Sequence, residues 1–185
     1  MRIIGGSARG LHLAEVGTGD AKAHLRPTSD RVRESIFNLL INGGYGNPLQ
    51  GARVLDVFAG TGALGLEAVS RGAASASFIE NGAAGLALLK RNIALMRAKD
   101  RCEILRRDAT KPGLNLGAAF DVVFLDPPYG KAMGEVALAA LTPWLVPEAL
   151  VIWEESLPPN PPSGFAQMDQ RKYGDTLVTI LKAPE

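Results

Sequence analysis

Apolar residues along the chain alternate between short continuous runs and stripes with helical spacing. Two segments between the runs, residues 60–71 and 83–96, repeat apolar positions three or four apart and predict helices, and residues 136–141 lie in a further one. Helices that connect fully buried strands indicate a parallel sheet covered on both faces, so the predicted fold class is α/β. The runs that predict the five buried strands are residues 54–58, 76–79, 102–106, 122–125 and 150–154.

Both ends of the chain depart from this alternation. Short apolar stretches at residues 2–4 and 11–13 flank a glycine-rich turn, which predicts a small N-terminal β-hairpin arm over residues 1–24. Residues 25–185 are predicted to form a single domain, whose first helix follows the capping segment Arg26-Pro27-Thr28-Ser29-Asp30. Two β-prone runs around Gly174-Asp175 predict a terminal hairpin with an antiparallel strand.

Composition narrows the class of protein. A chain of 185 residues fits one domain, and 46% hydrophobic with 21% charged residues is typical of a soluble globular protein. No apolar run reaches the length of a membrane span and the N-terminus lacks the apolar core of a secretory signal, so we expect no membrane association and a cytoplasmic location. With Cys102 as the single cysteine and two histidines, we expect neither a disulfide nor a metal site.

The net charge is 20 − 19 = +1, so any basic surface must be local. One segment is strongly basic: seven cations face two acids, a balance of 7 − 2 = +5. It is either a solvated helix face or a surface for a polyanion. The cations are Lys90, Arg91, Arg97, Lys99, Arg101, Arg106 and Arg107, and the acids are Asp100 and Glu103.

A glycine-rich segment follows the first predicted strand. Gly60-Thr61-Gly62-Ala63-Leu64-Gly65 matches G-x-G-x-x-G between a strand and a helix, and Glu80 lies 20 residues beyond Gly60. This is the dinucleotide-binding fingerprint as it is usually written. The alternative is a turn whose glycines serve only the packing of strand against helix.

Acidic residues at the ends of four predicted strands decide between cofactors. Asp56, Glu80, Asp108 and Asp126 would repel the pyrophosphate of a dinucleotide, whereas S-adenosylmethionine carries an ammonium and a sulfonium cation. The charge pattern therefore favours S-adenosylmethionine, although each acid alone could be a helix N-cap. In this interpretation Asp56 faces the ammonium, Glu80 the ribose hydroxyls and Asp108 the adenine amino group, and Gly60 and Gly62 let the backbone approach the ligand.

The fourth strand ends in Asp126-Pro127-Pro128-Tyr129. Two prolines fix the backbone and remove two amide donors, so this turn presents carbonyls and a carboxylate as acceptors. Acceptors that hold the hydrogens of an exocyclic amine localise its lone pair, and Tyr129 could stack on the base that carries it. The alternative is a rigid proline turn followed by a core tyrosine. Methyl transfer from a sulfonium needs no metal.

Several blocks together carry a family resemblance that covers nearly the whole chain. The sequence resembles the bacterial 16S rRNA guanine-N2 methyltransferases of the RsmD family. The resemblance implies a class I S-adenosylmethionine-dependent methyltransferase with a Rossmann-like sheet, a small N-terminal hairpin and S-adenosylhomocysteine as product. It further implies a target amine at N2 of guanine 966. The blocks are Met1-Arg2-Ile3-Ile4-Gly5-Gly6, Leu25-Arg26-Pro27-Thr28, Asp30-Arg31-Val32-Arg33-Glu34-Ser35-Ile36-Phe37-Asn38, Leu55-Asp56-Val57-Phe58-Ala59-Gly60-Thr61-Gly62 and Asp126-Pro127-Pro128-Tyr129.

Roles for individual residues follow from the same resemblance. Asp126, Pro127, Pro128 and Tyr129 become the site of the target base. The expected partner is 16S rRNA or the small ribosomal subunit, bound by a monomer without a protein partner. The expected donor contacts are Thr28, Asp56, Phe58, Gly60, Gly62, Glu80, Asp108 and Asp126. The expected RNA contacts are Arg2, Arg9, Arg26, Arg31 and Arg33, with a solvated N-terminal arm as the alternative.

Three other functions remain open from the sequence. A DNA amino-methyltransferase uses the same acceptor turn on adenine or cytosine, but it normally carries a target-recognition insert for which one compact domain leaves no room. An NAD-dependent oxidoreductase explains neither Asp56 nor the turn at Asp126. A non-catalytic RNA-binding module could retain the fold.

Overall fold

The computed structural model describes residues 1–15 and 29–185. Its helices, in chain order, are α1 (Asp30–Asn42), α2 (Ala63–Ser70), α3 (Ala83–Leu95) and α4 (Met133–Leu141), with 3-10 turns at Gly6–Ala8, Lys99–Arg101 and Thr142–Trp144. Its strands are β1 (Arg53–Val57), β2 (Ser75–Ile79), β3 (Cys102–Leu105), β4 (Phe120–Leu125), β5 (Leu145–Glu155), β6 (Ala166–Tyr173) and β7 (Thr176–Lys182).

All seven strands belong to one sheet with the order β3-β2-β1-β4-β5-β7-β6. The first five are parallel, and β7 pairs antiparallel with both β5 and β6. The predicted α/β class and the terminal antiparallel hairpin are therefore confirmed. Because β1 continues to β2 on one side and pairs with β4 on the other, the strand order reverses between them, and ligands bind at such a reversal in open α/β sheets.

Helices cover both faces of the sheet. Val54 of β1 packs in the cluster beneath α1, α2 and α3, while the next residue, Leu55, packs in the cluster beneath α4. Because both faces of β1 are covered, Val54, Leu55 and Val57 are all buried and do not alternate with solvent-facing polar residues. No helix in the described part of the chain is long and apolar enough to cross a bilayer.

The two predicted N-terminal stretches pair antiparallel, as in a hairpin, with a backbone hydrogen bond from the Ile3 amide to the Leu11 carbonyl oxygen at 2.9 Å and one from the Gly10 amide to the Ile3 carbonyl oxygen at 2.8 Å. The segment contains one isolated antiparallel bridge, between Arg2 and His12, closed by the 3-10 turn Gly6–Ala8. Ile3 and Leu13 are buried in the main core, so the segment packs on the domain over residues 1–15. Its predicted boundary at residue 24 lies outside the described residues.

Buried polar side chains attach this segment to the helices. The carboxylate of Glu67 on α2 accepts hydrogen bonds from the Ile4 and Gly5 amides, both at 2.8 Å. Asn92 on α3 bonds both backbone groups of Ala14 and donates to the Thr61 carbonyl oxygen at 2.9 Å. Buried polar groups with satisfied partners specify one arrangement, so the N-terminus is fixed relative to the glycine-rich turn.

Candidate active site

A large open cavity lies at the carboxyl ends of the parallel strands, where the strand order reverses. Its volume is about 1330 Å³, which exceeds the usual 300 to 1,000 Å³ of a small-molecule site and leaves room for a nucleobase beside a cofactor. Its wall comes from the loops after β1, β2, β3 and β4 and from the turn of the terminal hairpin. The predicted residues that line it are Arg31, Phe58, Gly60, Glu80, Asp108, Asp126, Pro127, Pro128 and Tyr129.

Glu80 connects the loops that follow β1 and β2. Its carboxylate accepts a hydrogen bond from the Gly60 amide at 2.8 Å and another from the Gly82 amide at 2.6 Å. A side chain at Gly85 would place its Cβ 2.9 Å from the Glu80 carboxyl carbon, so the glycine makes space for this carboxylate. Each carboxylate oxygen can accept a second hydrogen bond, which leaves capacity for the hydroxyls of a ribose.

Asp56 does not lie on the cavity wall, and the predicted direct contact with the donor's ammonium is therefore wrong. Its side chain is only 2% exposed and accepts a hydrogen bond from the Gly65 amide in the first turn of α2, at 2.8 Å. Burial raises the pKa of this carboxyl, with smaller contributions from Asp126 and Glu80. Through this hydrogen bond to Gly65, Asp56 stabilises the glycine-rich turn from inside the protein.

Gly62 is also absent from the wall, contrary to the expectation that it lets the backbone approach the ligand. It has φ +76°, and an added Cβ would lie 2.4 Å from Leu89 Cδ1 on α3. The missing side chain thus allows close packing of the turn against α3, which is the alternative considered for this motif.

Two further predicted donor contacts do face the cavity. Phe58 has φ +61°, an uncommon conformation for a bulky residue, which turns the chain at the end of β1. Asp108 is exposed, and one of its carboxylate oxygens accepts from the Thr110 amide at 2.8 Å and hydroxyl at 2.7 Å. These bonds lower the Asp108 pKa, so the carboxylate stays ionised and its second oxygen can accept from a ligand.

The Asp126-Pro127-Pro128-Tyr129 turn forms the opposite wall. Pro127 is buried, whereas Asp126 and Tyr129 are half-buried and face the cavity. The Tyr129 hydroxyl lies 3.5 Å from the Thr176 hydroxyl at the start of β7. Burial, together with the nearby Asp126 carboxylate, raises the Tyr129 pKa to about 12. The terminal hairpin therefore supports the aromatic ring that lines the site.

Glu154 is a site residue that the sequence interpretation missed. It follows Trp153, the β5 partner of Leu125, so its position in the sheet is beside Asp126. The side chain is 1% exposed and lines the cavity. The signal was present, since an acid near the carboxyl end of a fifth parallel strand belongs at the same sheet edge as the other four.

The predicted RNA contacts separate into different environments. Arg33 is wrong as an RNA contact, because its side chain is fully buried and pairs with Asp30 and Glu67. Arg2 is exposed with Nε 3.6 Å from Asp30, and Arg9 is exposed on the N-terminal segment. Arg31 lies at the cavity. Arg26 and Thr28 fall outside the described residues.

Charge is distributed unevenly over the cavity. Exposed cations at its rim are Arg31 on α1, Lys131 after the proline turn and Lys172 on β6. Glu80, Asp126 and Glu154 lie deeper, at the strand ends, while Asp108 and Asp175 are exposed. Sequence patterns did not single out Lys131 and Lys172, because only the fold-back of the terminal hairpin brings Lys172 to this edge. Acids in the floor fit a cationic donor, and cations at the rim fit phosphates.

These features fit S-adenosylmethionine in three respects. Glu80 can accept further hydrogen bonds, and Asp108 is an ionised hydrogen-bond acceptor. The carboxylates at the base of the cavity also suit a ligand with two positive charges. A parallel sheet with a terminal antiparallel hairpin and this cavity at its switch point defines a class I S-adenosylmethionine-dependent methyltransferase. S-Adenosylmethionine is the cofactor of the protein.

Comparison with known proteins gives the family. The family model described as "Conserved hypothetical protein 95" matches residues 1–182. Ribosomal RNA small subunit methyltransferase D of Escherichia coli is 38% identical over 98% of this chain and 89% of its own. The corresponding enzyme of Haemophilus influenzae is 37% identical over 83% of this chain and 78% of its own. The protein belongs to the RsmD family of bacterial 16S rRNA methyltransferases.

Solved structures agree with this assignment. The yhhF protein of Escherichia coli superposes with a TM-score of 0.83 at 34% identity, covering 100% of this chain and 98% of its own. A magnesium protoporphyrin IX methyltransferase from Synechocystis, solved with bound S-adenosylmethionine, shares the fold at a TM-score of 0.63 and 13% identity, over 83% of this chain and 78% of its own.

Proposed function

We propose that the protein transfers a methyl group from S-adenosylmethionine to the exocyclic N2 amine of a guanine in 16S rRNA, guanine 966 by family resemblance. The observation that carries this proposal is the acceptor turn at Asp126, which faces the same cavity as Gly60 and Glu80. Donor and acceptor of the methyl group can therefore meet at one sheet edge. The relatives named above as small-subunit rRNA methyltransferases support rRNA as the substrate.

The donor half of the cavity is formed by the loops after β1, β2 and β3. In the proposed arrangement Glu80 accepts hydrogen bonds from the ribose hydroxyls, and Asp108 accepts one from the adenine amino group. Gly60 and Phe58 form the wall that the donor contacts. Asp56 acts indirectly, through its hydrogen bond to Gly65, by keeping the glycine-rich turn in place.

The acceptor half is formed by the proline turn. Asp126 and the turn's carbonyl oxygens accept hydrogen bonds from the guanine amine, which localises a lone pair otherwise delocalised into the ring and directs it to the methyl group. Tyr129 stacks on the base. Bound S-adenosylmethionine supplies an electrophilic methyl group on sulfur. As the N–C bond forms, the C–S bond breaks, and the amine proton leaves through Asp126 or water.

The cations around the cavity are proposed to bind the phosphates that flank the target nucleotide. Arg31, Lys131 and Lys172 lie at its rim, and Arg2 and Arg9 lie on the exposed N-terminal segment. Phosphate contacts fix the register of an RNA but carry no base specificity. Base identity is then read by the acceptor turn, which needs an amine.

Replacing the carboxylate tests this function. Asp126→Asn keeps the shape of the side chain but places an NH2 group where the amine needs an acceptor, so we expect methylation of small-subunit rRNA to slow by about 10²- to 10³-fold. Asp121→Asn is the matched control, because Asp121 lies near the start of β4, the strand that Asp126 follows, and accepts a hydrogen bond from the Arg53 amide away from the cavity. Methylation at the parent rate by Asp126→Asn would refute the role of the turn.

A further inference from the structure

Six exposed cations line the free edge of the sheet, and the proposed site does not use them. We call this group the β3-edge basic surface. None of the six forms an ion pair with a residue that the structure describes. The members are Lys90 and Arg91 on α3, Arg97, Lys99 and Arg101 between α3 and β3, and Arg106 after β3.

Arg107, the seventh cation of this basic segment, has an internal role. Its Nη1 atom donates to the Pro112 and Leu114 carbonyl oxygens at 2.7 and 3.0 Å. Its guanidinium also lies 5.5 Å from the centre of a Trp144 ring. Because these contacts hold Arg107 against the loop before β4, it is not counted in the surface.

Three cations elsewhere in the described part of the chain pair with acids. Arg2 lies 3.6 Å from Asp30 and Arg171 lies 3.0 Å from Asp169, and Lys182 pairs with Glu148. At the β3 edge the segment supplies only Asp100 and Glu103, and the Glu103 carboxylate accepts a hydrogen bond from Ser77 Oγ at 3.3 Å. Six cations against two acids leave a local excess of 6 − 2 = +4, which an external polyanion would neutralise.

The segment that carries these cations starts and ends near the cavity. The first turn of α3, at Ala83 and Gly85, lines the cavity, and a rise of 1.5 Å per residue places Lys90 and Arg91 roughly 10 Å away and the end of the helix almost 20 Å away. The chain then returns along β3, and Arg106 precedes three residues that line the cavity. β3 is the outermost strand, so no further strand covers this side.

We infer that the β3-edge basic surface binds the phosphate backbone of the rRNA that flanks the target nucleotide, outside the contacts made at the cavity rim. The inference rests on the proposed rRNA substrate. From Arg101 to Arg106 the chain runs along β3 for roughly 16 Å, at about 3.3 Å per residue. Cations spread over that length match successive phosphates of an RNA strand, because folded RNA is recognised largely by its shape and its phosphates. Such contacts would orient the RNA before its base enters the cavity.

The test compares two double variants that remove the same amount of charge. Arg91→Gln with Arg101→Gln changes the surface, and Arg171→Gln with Lys182→Gln changes paired cations at the opposite edge of the sheet. Binding of 16S rRNA that lacks the modification is measured by titration over a series of KCl concentrations. The dissociation constant for S-adenosylmethionine is measured in parallel.

For the surface variant we expect rRNA affinity about tenfold or more below the parent at 0.1 M salt, and a salt dependence with about two fewer released ions, since each phosphate contact contributes roughly one. Affinity for S-adenosylmethionine should match the parent, and the control variant should keep the parent salt dependence. The inference is overturned if the surface variant binds rRNA like the parent, or if the control loses as much.

Mapping the nucleotide that the parent protein methylates, alongside these titrations, separates this inference from the proposed function. Parent protein that methylates a nucleotide other than a guanine, while the surface variant still loses affinity, contradicts the proposed function and supports the surface. Parent protein that methylates guanine N2 with equal rRNA binding by both variants supports the proposed function and contradicts the surface.

Discussion

Glu80 and Asp56 are both carboxylates next to the glycine-rich turn, yet their surroundings give them different roles. Glu80 is half-buried at the cavity and accepts from two loop amides, with acceptor capacity left for a ligand. Asp56 is enclosed and bonds only inward, to Gly65. Sequence spacing placed both near the sheet edge, but it did not show that Asp56 accepts a hydrogen bond from α2 while Glu80 accepts from the loops at the cavity.

Tyr129 gives a prediction about stacking. We expect Tyr129→Ala to lower kcat/KM for rRNA by about 5- to 150-fold, since stacking on an aromatic ring contributes roughly 1 to 3 kcal/mol per base. Tyr129→Phe keeps the ring and should stay within a few-fold of the parent. Because a phenol with a pKa of about 12 stays protonated in neutral solution, the phenylalanine variant should also keep the parent pH profile. A changed profile would assign the hydroxyl a proton-transfer role.

Asp56 gives a prediction about stability. Its pKa is raised by burial, so the folded state holds the proton more tightly than the unfolded state, and the free energy of unfolding falls as pH rises above the usual carboxyl range. Asp56→Asn has no proton to lose and still offers an oxygen to the Gly65 amide. Urea denaturation between about pH 5 and pH 9 should therefore show a smaller loss of stability with rising pH than in the parent. Identical slopes would contradict the account.

At the scale of elements, hydrophobic periodicity predicted the strands and the helices that cover the sheet well. Buried strands appear as continuous apolar runs, and the helices appear as apolar positions three or four residues apart. α2 begins at Ala63, three residues later than its predicted start, since the glycine-rich turn occupies residues 60–62. The N-terminal hairpin was predicted, but its attachment to the domain was not. Its two apolar stretches are held by Glu67 and Asn92 from distant helices, and such long-range polar contacts leave no local pattern.

Arg33 is another residue whose environment depends on a long-range contact that a local sequence pattern does not predict. On a helical stripe next to other cations it resembles a solvent-facing RNA contact, but the buried carboxylate of Glu67 on α2 draws it into the interior. The spacing of residues along α1 gives no sign of this contact with Glu67. Glu154 is the opposite case, because its place at the end of a parallel strand was readable from the sequence and only its relevance was missed.

The glycine-rich turn gives a prediction at this scale. Gly62→Ala places a Cβ 2.4 Å from Leu89 in a left-handed conformation, so we expect about 2 to 4 kcal/mol of lost stability from backbone strain and overpacking together. Gly51→Ala is the matched control, with φ +72° and nothing within 4 Å, and should lose only about 1 to 2 kcal/mol. Chemical denaturation measures both. Equal losses would show that contact with α3 is unimportant.

For the whole molecule, the central feature is that functional side chains from segments far apart in sequence lie together at one edge of the sheet. Carboxylates at the strand ends form the floor of the cavity, the proline turn forms an acceptor wall, and cations occupy the rim and the β3 edge. The parallel topology could be predicted from the sequence, and with it the shared location of the strand ends. The contribution of the terminal hairpin could not, because it depends on how the last two strands fold back over the site.

The measurement that tests the account most directly is to map the methylated nucleotide. The protein is incubated with isotopically labelled S-adenosylmethionine and either naked 16S rRNA or small ribosomal subunits that lack the modification, and the labelled nucleotide is identified by nuclease digestion and mass spectrometry. We predict a single labelled guanine that carries one methyl group on N2. Label on a ring nitrogen, on a ribose or on a base without an exocyclic amine would contradict the account.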